Sequence, residues 1–517
     1  MSPPQDLGRK SLLMLAGAWG GSAIGMVVSV LIARALGPTA LGSIGFSTGL
    51  VGLLMAALLP GFAQAHLKRL SEGQDPGRCL GAMLSVQLAL HALLLAGLLA
   101  LWSATGLFRD PELATVFGCL LAAQVATNFA DSFLKVFVAR EWVVPYSLLL
   151  VGSRVARLAA TLIVLTWAPR ITWVAATFVV EGFVSGLGAA ILLAGRYHLV
   201  PRAPTRQTLA SYWSYARPFT ITTPLALFQD SIDRVLVGHW GGLAAAGYYQ
   251  VARALWEALS SVVAAPITFL FTRLSSLYAR RDEPKDGEAR DFFFHALDKL
   301  LFLTVPLAFL VWAFAEPGIA LLYGDAFRAA ALSLRILVLA TVAATVVNPY
   351  THVVLALDRA ARFVPVNLLR AVAYTVVLVL LVPPRPVLDG LAGFWPGEPG
   401  AAAARVFLIL FPCWVYVRWT RELAGVTLYR HVGTYVGGFA LLLAVFHAAH
   451  AALGRLGVGG AWPSAMPAAA AALAVYLVYL RGCHPGTADN LRYAGALLSP
   501  GDFIRFLRSG LRGPGRP

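Results

Sequence analysis

Apolar runs separated by short charged or Pro/Gly-rich segments fill most of the chain. A membrane-spanning helix needs about 20 mostly apolar residues. Reading for such runs predicts fourteen, at 11–33, 41–65, 80–101, 113–138, 143–167, 171–194, 218–240, 248–274, 292–314, 329–357, 363–382, 402–417, 433–453 and 465–480. Barrel strands would be shorter and would alternate polar with apolar positions, so the pattern predicts an all-α polytopic membrane protein. The first run lacks a clear cleavage signal and is too long for a signal-peptide core, so it reads as a retained span.

Composition supports this class. Of 517 residues 58% are hydrophobic and 13% charged, about half the charged share of an ordinary soluble domain. That excludes a soluble enzyme, a disordered chain and a secreted domain. The net charge of +16 would point to nucleic acid on a soluble protein. Here it reads instead as a bias of cytoplasmic loops toward Lys and Arg. With fourteen spans and a cytoplasmic N-terminus, 28 lysines and arginines fall on the cytoplasmic side and seven outside, the seven being Arg34, Arg109, Arg170, Arg328, Arg385, Arg405 and Arg455. A wrong span count would scramble that asymmetry, so both termini are expected inside.

The loops leave little room for other chemistry. The longest charged one, RRDEPKDGEARD from Arg280, is a solvated linker. The external 383–400 loop carries only Arg385, Asp389 and Glu398, too little for a membrane-embedded glycan polymerase or ligase. There is no Gly-rich nucleotide-phosphate loop. Cys79, Cys119, Cys413 and Cys483 are scattered, with no metal-ligand or disulfide spacing. No enzyme activity, cofactor, metal site or nucleic-acid partner is expected.

The chain also looks doubled. LGPTALGSIGF from Leu36 echoes WGGLAAAGYYQ from Trp240, pairing Gly37 with Gly242 and Gly42 with Gly247 at one constant offset, and the same offset carries Lys68 onto Arg273. AREWVVPYSLL from Ala139 echoes AARFVPVNLL from Ala360, with Pro145 on Pro365. Six spans per copy is an even number, so both copies face the same way, related by an axis along the membrane normal. The expectation is two pseudo-symmetric six-helix lobes, residues 1–200 (spans one to six) and 201–423 (seven to twelve). Residues 424–517 hold two further helices and a basic cytoplasmic tail.

Charges inside the spans carry the candidate chemistry. Six arginines fall in neither loop set: Arg154, Arg157, Arg234, Arg253, Arg335 and Arg370. Acids at comparable depth are Asp131, Glu181, Asp230, Asp233 and Glu257. A charge at the bilayer centre costs at least about 2.5–3.5 kcal/mol, so each needs a partner or a wet cavity. Asp230 and Arg234 are four apart on one helix, as are Arg253 and Glu257, and both can close as ion pairs. Arg253 can equally offer its remaining donors to a ligand. Arg154 and Arg157 share a face of the fifth span, which carries no acid. Either Asp131 and Glu181 on the neighbouring spans neutralise them, or they face a cationic cavity. Arg335 and Arg370 have no acid on their own helices, and Arg335 is near enough to the outer end to snorkel. A guanidinium fork suits anionic oxygens in pairs, so an anionic ligand is favoured. Asn128 and Gln124 are intramembrane amides that either receive sugar hydroxyls or bridge helices.

Several stretches in order resemble the polysaccharide flippase family of bacterial envelopes (Wzx type), within the multidrug/oligosaccharidyl-lipid/polysaccharide exporter superfamily. They are IARALGPTALGSIGFSTGL from Ile32; DRVLVGHW, GYYQVARAL and APITFLFTRLSS within 219–276; and EPGIALLYGDAFRAAALSLRILVLA from Glu316, running on to ALDRAARFVPVNLL. The likeness covers roughly residues 10–380; beyond Ala401 only hydropathy agrees. It implies a V-shaped bundle of two lobes that opens alternately to each side. The implied substrate is a polyprenyl-diphosphate-linked oligosaccharide, moved to the outer leaflet of the bacterial inner membrane. Membrane lipids, a polysaccharide polymerase and glycosyltransferases are the implied partners. The resemblance transfers no individual residue: Arg154, Arg157, Arg253, Arg335 and Arg370 are substrate candidates on depth and chemistry alone. A cation-coupled multidrug antiporter on the same fold is the alternative. It often carries an acid in the first span, and the 11–33 run has no ionisable residue.

Overall fold

The computed structural model describes residues 4–58, 61–105, 110–217, 219–279, 286–357, 359, 362–383, 397–456, 461–484 and 486–498. Among them there is no β-strand. In order the helices are α1 (Pro4–Leu58), α2 (Phe62–Ser71), α3 (Pro76–Thr105), α4 (Pro111–Ala139), α5 (Val143–Trp167), α6 (Ile171–Gly195), α7 (Arg206–Ala216), α8 (Phe219–Ala279) and α9 (Asp286–Ala313). They continue as α10 (Ala315–Tyr323), α11 (Ala330–Ala356), α12 (Phe363–Leu381), α13 (Glu398–Leu410), α14 (Cys413–Ala424), α15 (Val432–Arg455), α16 (Ala461–Cys483) and α17 (Thr487–Leu498). Among the described residues eleven stretches are long and apolar enough to cross a membrane, so the chain is a multi-pass helical membrane protein. The count of eleven differs from fourteen partly because one stretch, Trp19–Ala56, runs through the first two expected spans.

The helices divide into two compact units, one within residues 1–250 and the other within 251–509. In the first, α4, α5 and α6 pack on one another and α1 packs on α4 and α5. Lipid gives helices little hydrophobic reason to associate, so close approach through small residues matters more. Gly182 and Gly186 of α6 supply it: a Cβ on Gly182 would lie 2.8 Å from Thr127 N, and one on Gly186 3.2 Å from the Ala130 Cβ. The aromatic and basic segment SYWSYAR from Ser211 forms the end of α7, a short helix with Tyr212 and Ala216 buried and Trp213 exposed.

The sequence echo has a backbone counterpart. α1 and α8 each change direction at the paired glycines. Gly37 has φ 79°, ψ −174° and Gly242 φ 82°, ψ 171°, a region that residues with a Cβ essentially never occupy. Just beyond each break the helices cross. A Cβ on Gly42 would sit 1.6 Å from the Leu243 carbonyl oxygen, and one on Gly247 2.1 Å from the Pro38 carbonyl oxygen. Leu243 stands to Pro38 as Gly247 stands to Gly42, so the contact is reciprocal, as a two-fold axis requires.

In the second unit α11 packs on α9, α13 and α14, while α15, α16 and α17 all reach α9. The twelfth expected span, 402–417, falls within the candidate stretch Glu398–Ala424, which a turn at Phe411 and Pro412 divides into α13 and α14. Proline lacks the N–H and clashes with the preceding turn, so the hydropathy run continues where the helix does not. The C-terminal helices are tied to α9 through Asp298. Its carboxylate accepts from Tyr429 Oη (2.7 Å), Tyr435 Oη (2.8 Å), Asn490 Nδ2 (2.7 Å) and His484 Nε2 (2.9 Å). Asp298→Ala is expected to leave four buried donors without their acceptor, at about 1–3 kcal/mol each where none repacks. A clear drop in the thermal midpoint of the detergent-extracted protein, followed by size-exclusion fluorescence, checks this; an unchanged midpoint contradicts it.

Candidate functional site

α5 and α6 are joined by a short turn, so they run antiparallel, and their midpoints face one another. Arg154 and Arg157, three apart, lie on one face of α5. Glu181 stands at the middle of α6. Its two oxygens are divided between them: Arg154 Nε is 3.3 Å from Oε1, and Arg157 Nη1 donates to Oε2 at 2.9 Å. The Arg157 guanidinium also lies over the Phe178 ring, 3.5 Å from its centre, one turn before Glu181. α1 makes room for this pair. A Cβ at Gly21 would lie 3.1 Å from Arg154 Cδ, and one at Gly25 3.4 Å from Arg154 Nη1.

The donors of two guanidinium forks outnumber the lone pairs of one carboxylate. Arg157 Nε, although buried, has no hydrogen-bond partner among the described residues. The formal charge of the trio is +1, held at mid-span, and the Arg154 side chain is still 31% exposed. An anion meets unspent donors there, and a cation meets repulsion.

The acids of the sequence reading separate. Glu181 serves both arginines, whereas Asp131 pairs with Lys135 one turn along its own helix, so the expected share of Asp131 in neutralising Arg154 and Arg157 is corrected. The nearer i, i+4 cation takes it. Asp233, fully buried on α8, accepts from Tyr249 Oη at 2.6 Å and from the Arg234 backbone N–H at 2.9 Å. Asp230 is exposed on the same helix.

In the second unit Arg253 is 2% exposed and donates through Nε to Glu257 Oε1 at 2.6 Å. Arg335 lies over the Trp312 ring, 5.1 Å from its centre, with Nη2 3.9 Å from Glu316 Oε2. Its acid therefore comes from α10, which hydropathy alone did not separate from its neighbours. Arg370 of α12 lies beside Tyr416, within electrostatic reach of Arg405. Arg405 itself was counted with the outer loop. It is in fact a helical residue of α13, 6% exposed, over the rings of Tyr374 (5.5 Å) and Trp256 (5.9 Å). Arg370 and Arg405 thus mark one aromatic-lined, cation-rich region of this unit.

Sequence reasoning also missed a buried polar chain in the first unit. His66 bonds Tyr212 Oη (2.7 Å) and the Ser132 carbonyl (3.0 Å); Ser132 Oγ donates to Gln87 Oε1 (2.9 Å). Gln87 Nε2 donates to the Asn128 carbonyl at 3.0 Å, and Asn128 Nδ2 lies 3.3 Å from His91 Nε2. Asn128 is here a bridge between helices. The signal was present in the polar residues His66, Gln87, His91, Asn128 and Ser132 within apolar runs, but their partners lie on different helices. Among the described residues no group of three or more His, Cys, Asp or Glu side chains is placed to hold a metal ion.

Comparison with solved structures places this helix arrangement. A lipid II flippase, MurJ, in an inward closed conformation superposes with a TM-score of 0.69 at 13% identity, over 90% of this chain and 98% of that one. An inward-facing multidrug resistance MATE transporter of the MOP superfamily gives 0.62 at 15% identity, over 81% and 98%. A MOP superfamily transporter from Pyrococcus furiosus gives 0.54 at 13%, over 81% and 95%. At such identities the likeness is one of fold. No curated protein sequence matches. The family described as "Polysaccharide biosynthesis protein" matches residues 7–277, just over half of the chain, including the glycine-paired helices and the Arg154–Arg157–Glu181 trio. The chain therefore belongs to the polysaccharide biosynthesis protein family, as a multi-pass membrane protein with the fold shared by MOP superfamily transporters.

Proposed function

We propose that the protein is a flippase that moves polyprenyl-diphosphate-linked oligosaccharide repeat units from the cytoplasmic to the periplasmic leaflet of the bacterial inner membrane, by alternating access, for envelope or exported polysaccharide. The observation that carries this reading is the pair Arg154 and Arg157 sharing one carboxylate, Glu181, in the middle of adjacent spans. A diphosphate is multiply anionic, and guanidinium forks donate to its oxygens in pairs. Family membership and the fold shared with a lipid II flippase support a lipid-linked substrate.

In this reading fourteen spans form lobes 1–200 and 201–423, with 424–517 as two added helices and a basic tail, both termini cytoplasmic. Arg154 and Arg157 in one lobe, with Arg253, Arg335 and Arg370 in the other, screen the diphosphate as it passes. Asp131, Glu181, Asp230, Asp233 and Glu257 set the local charge. The polyprenyl chain stays in lipid. A polymerase and glycosyltransferases work on either side of the step, which itself makes and breaks no covalent bond.

The MATE neighbours favour a second reading, a cation-coupled multidrug antiporter on the same fold. A cationic drug would meet the net positive trio, so the charge favours the flippase. The two readings part in a deletion strain. Flipping predicts lipid-linked oligosaccharide trapped on the cytoplasmic leaflet, with drug sensitivity unaltered by overexpression. Drug export predicts normal sidedness and raised resistance.

A further inference from the structure

A cavity of about 580 Å³ opens where the first turns of α9 meet the α14–α15 connection and the α16–α17 turn. No intramembrane arginine lines it. Its lining adjoins the ends of four candidate spans, two that begin at Gly287 and Val432 and two that end at Ala424 and Cys483. That places it at the level of lipid headgroups, where the abundant anion is phosphate.

One wall of the cavity is spent. Asp298 accepts from Tyr429, Tyr435 and His484 on Oδ1 and from Asn490 on Oδ2, so its charge is engaged by four donors of the protein itself. His484 Nδ1 in turn accepts from the Gly486 N–H at 3.1 Å. The other wall is rich in donors. Arg430 Nε donates to His431 Nε2 at 2.9 Å, which makes His431 the Nδ1–H tautomer and leaves the terminal nitrogens of Arg430 for another acceptor. Burial, with His484 and Arg430 close by, holds the His431 imidazole below its ordinary pKa, so it stays in that neutral donor form. Arg290 is half exposed, and its Nε is 3.8 Å from Asp291 Oδ1, beyond hydrogen-bond length. Asp291, the remaining carboxylate of the lining, is 76% exposed and screened by solvent.

We infer that this cavity is a binding site for a phosphate-bearing anion, held by Arg290 and Arg430 with His431 as a neutral donor. The anion is either a phospholipid headgroup or a water-soluble phosphate. The site is independent of the proposed flipping reaction. It requires the C-terminal helices, since α15 supplies its approach and the α16–α17 turn closes it.

The test uses the full-length protein in nanodiscs. In one arm, native mass spectrometry counts phosphatidylglycerol retained after delipidation, against phosphatidylcholine. In the other, inorganic pyrophosphate is titrated in phosphatidylcholine discs and followed by ³¹P NMR. Saturable binding in the first arm assigns a headgroup, and in the second a soluble phosphate. In whichever arm binds, Arg290→Gln with Arg430→Gln should weaken binding at least tenfold, and Arg418→Gln on α14 should leave it unchanged. Arg290→Gln alone, at a half-exposed position that threatens no packing, should weaken it severalfold, which keeps the test decisive if the double variant misfolds. Absence of saturable binding in both arms, or equal losses with Arg418→Gln, overturns the assignment.

Discussion

Gly42→Val is expected to remove most of the folded protein from detergent extracts, whereas Gly118→Ala leaves it unchanged. At Gly42 the first added carbon would fall 1.6 Å from the Leu243 carbonyl oxygen and 2.8 Å from Gly247 N. Both obstacles are backbone, so no rotamer change relieves them, and the two helices must part. Overpacking of a close contact typically costs about 1–3 kcal/mol and sometimes more; a backbone-to-backbone clash at a helix crossing belongs at or above the top of that range. Gly247→Val should match it, because its Cβ meets the Pro38 carbonyl at 2.1 Å in the reciprocal position. Around Gly118 a Cβ meets nothing within 4 Å, so the control separates glycine removal in general from removal at the crossing. Size-exclusion fluorescence across a temperature ramp reads the difference. Equal behaviour of Gly42→Val and Gly118→Ala would refute the reciprocal contact.

The second large effect is on transport. Replacing Arg154 and Arg157 with alanine removes both cations and strands Glu181 at mid-span, which costs at least about 2.5–3.5 kcal/mol and confounds function with folding. The cleaner variant is Arg154→Gln, Arg157→Gln and Glu181→Gln together. It keeps polar partners on both helices and buries no charge. Hydrogen bonds to charged groups contribute about 1.5–3 kcal/mol each. Losing two arginines' contacts to a diphosphate therefore predicts a fall of about two to four orders of magnitude in transport, with expression intact. Glu181→Gln alone leaves both cations and should retain transport. A cation antiporter reverses the order: loss of the acid is the damaging change, and the arginines are dispensable. Export of surface polysaccharide by the single and triple variants in a deletion strain decides between them.

Which features were legible from sequence depends on how far apart the interacting residues lie. Span positions follow from local hydropathy, and 402–417 falls within the candidate stretch Glu398–Ala424; the turn at Phe411 and Pro412 inside that stretch does not show in hydropathy. The pairing of Gly37 with Gly242 was visible as an echo, and the shared positive-φ backbone gives it a physical cause. Gly42, Gly45, Gly49 and Gly52 form a stripe on α1 that the structure lays against residues 231–250 of α8, a partner that no local pattern names. Arg154 and Arg157 share a face by spacing alone, whereas the choice of Glu181 over Asp131 depends on which helix packs where. The same limit hid Asp298, whose four donors come from residues 429, 435, 484 and 490, too distant to form a motif. Arg405 was misplaced for a different reason: an arginine near an apolar run reads as a loop residue until aromatic rings are seen around it.

The central claim concerns sidedness, so the most direct measurement is which leaflet holds the lipid-linked oligosaccharide when the protein is absent. A membrane-impermeant glycan probe applied to spheroplasts and to inverted vesicles of a deletion strain reads each leaflet separately. The account predicts labelling in inverted vesicles and little in spheroplasts, restored to the outer leaflet by the intact gene and not by the triple glutamine variant. Equal labelling of spheroplasts with and without the protein would contradict it.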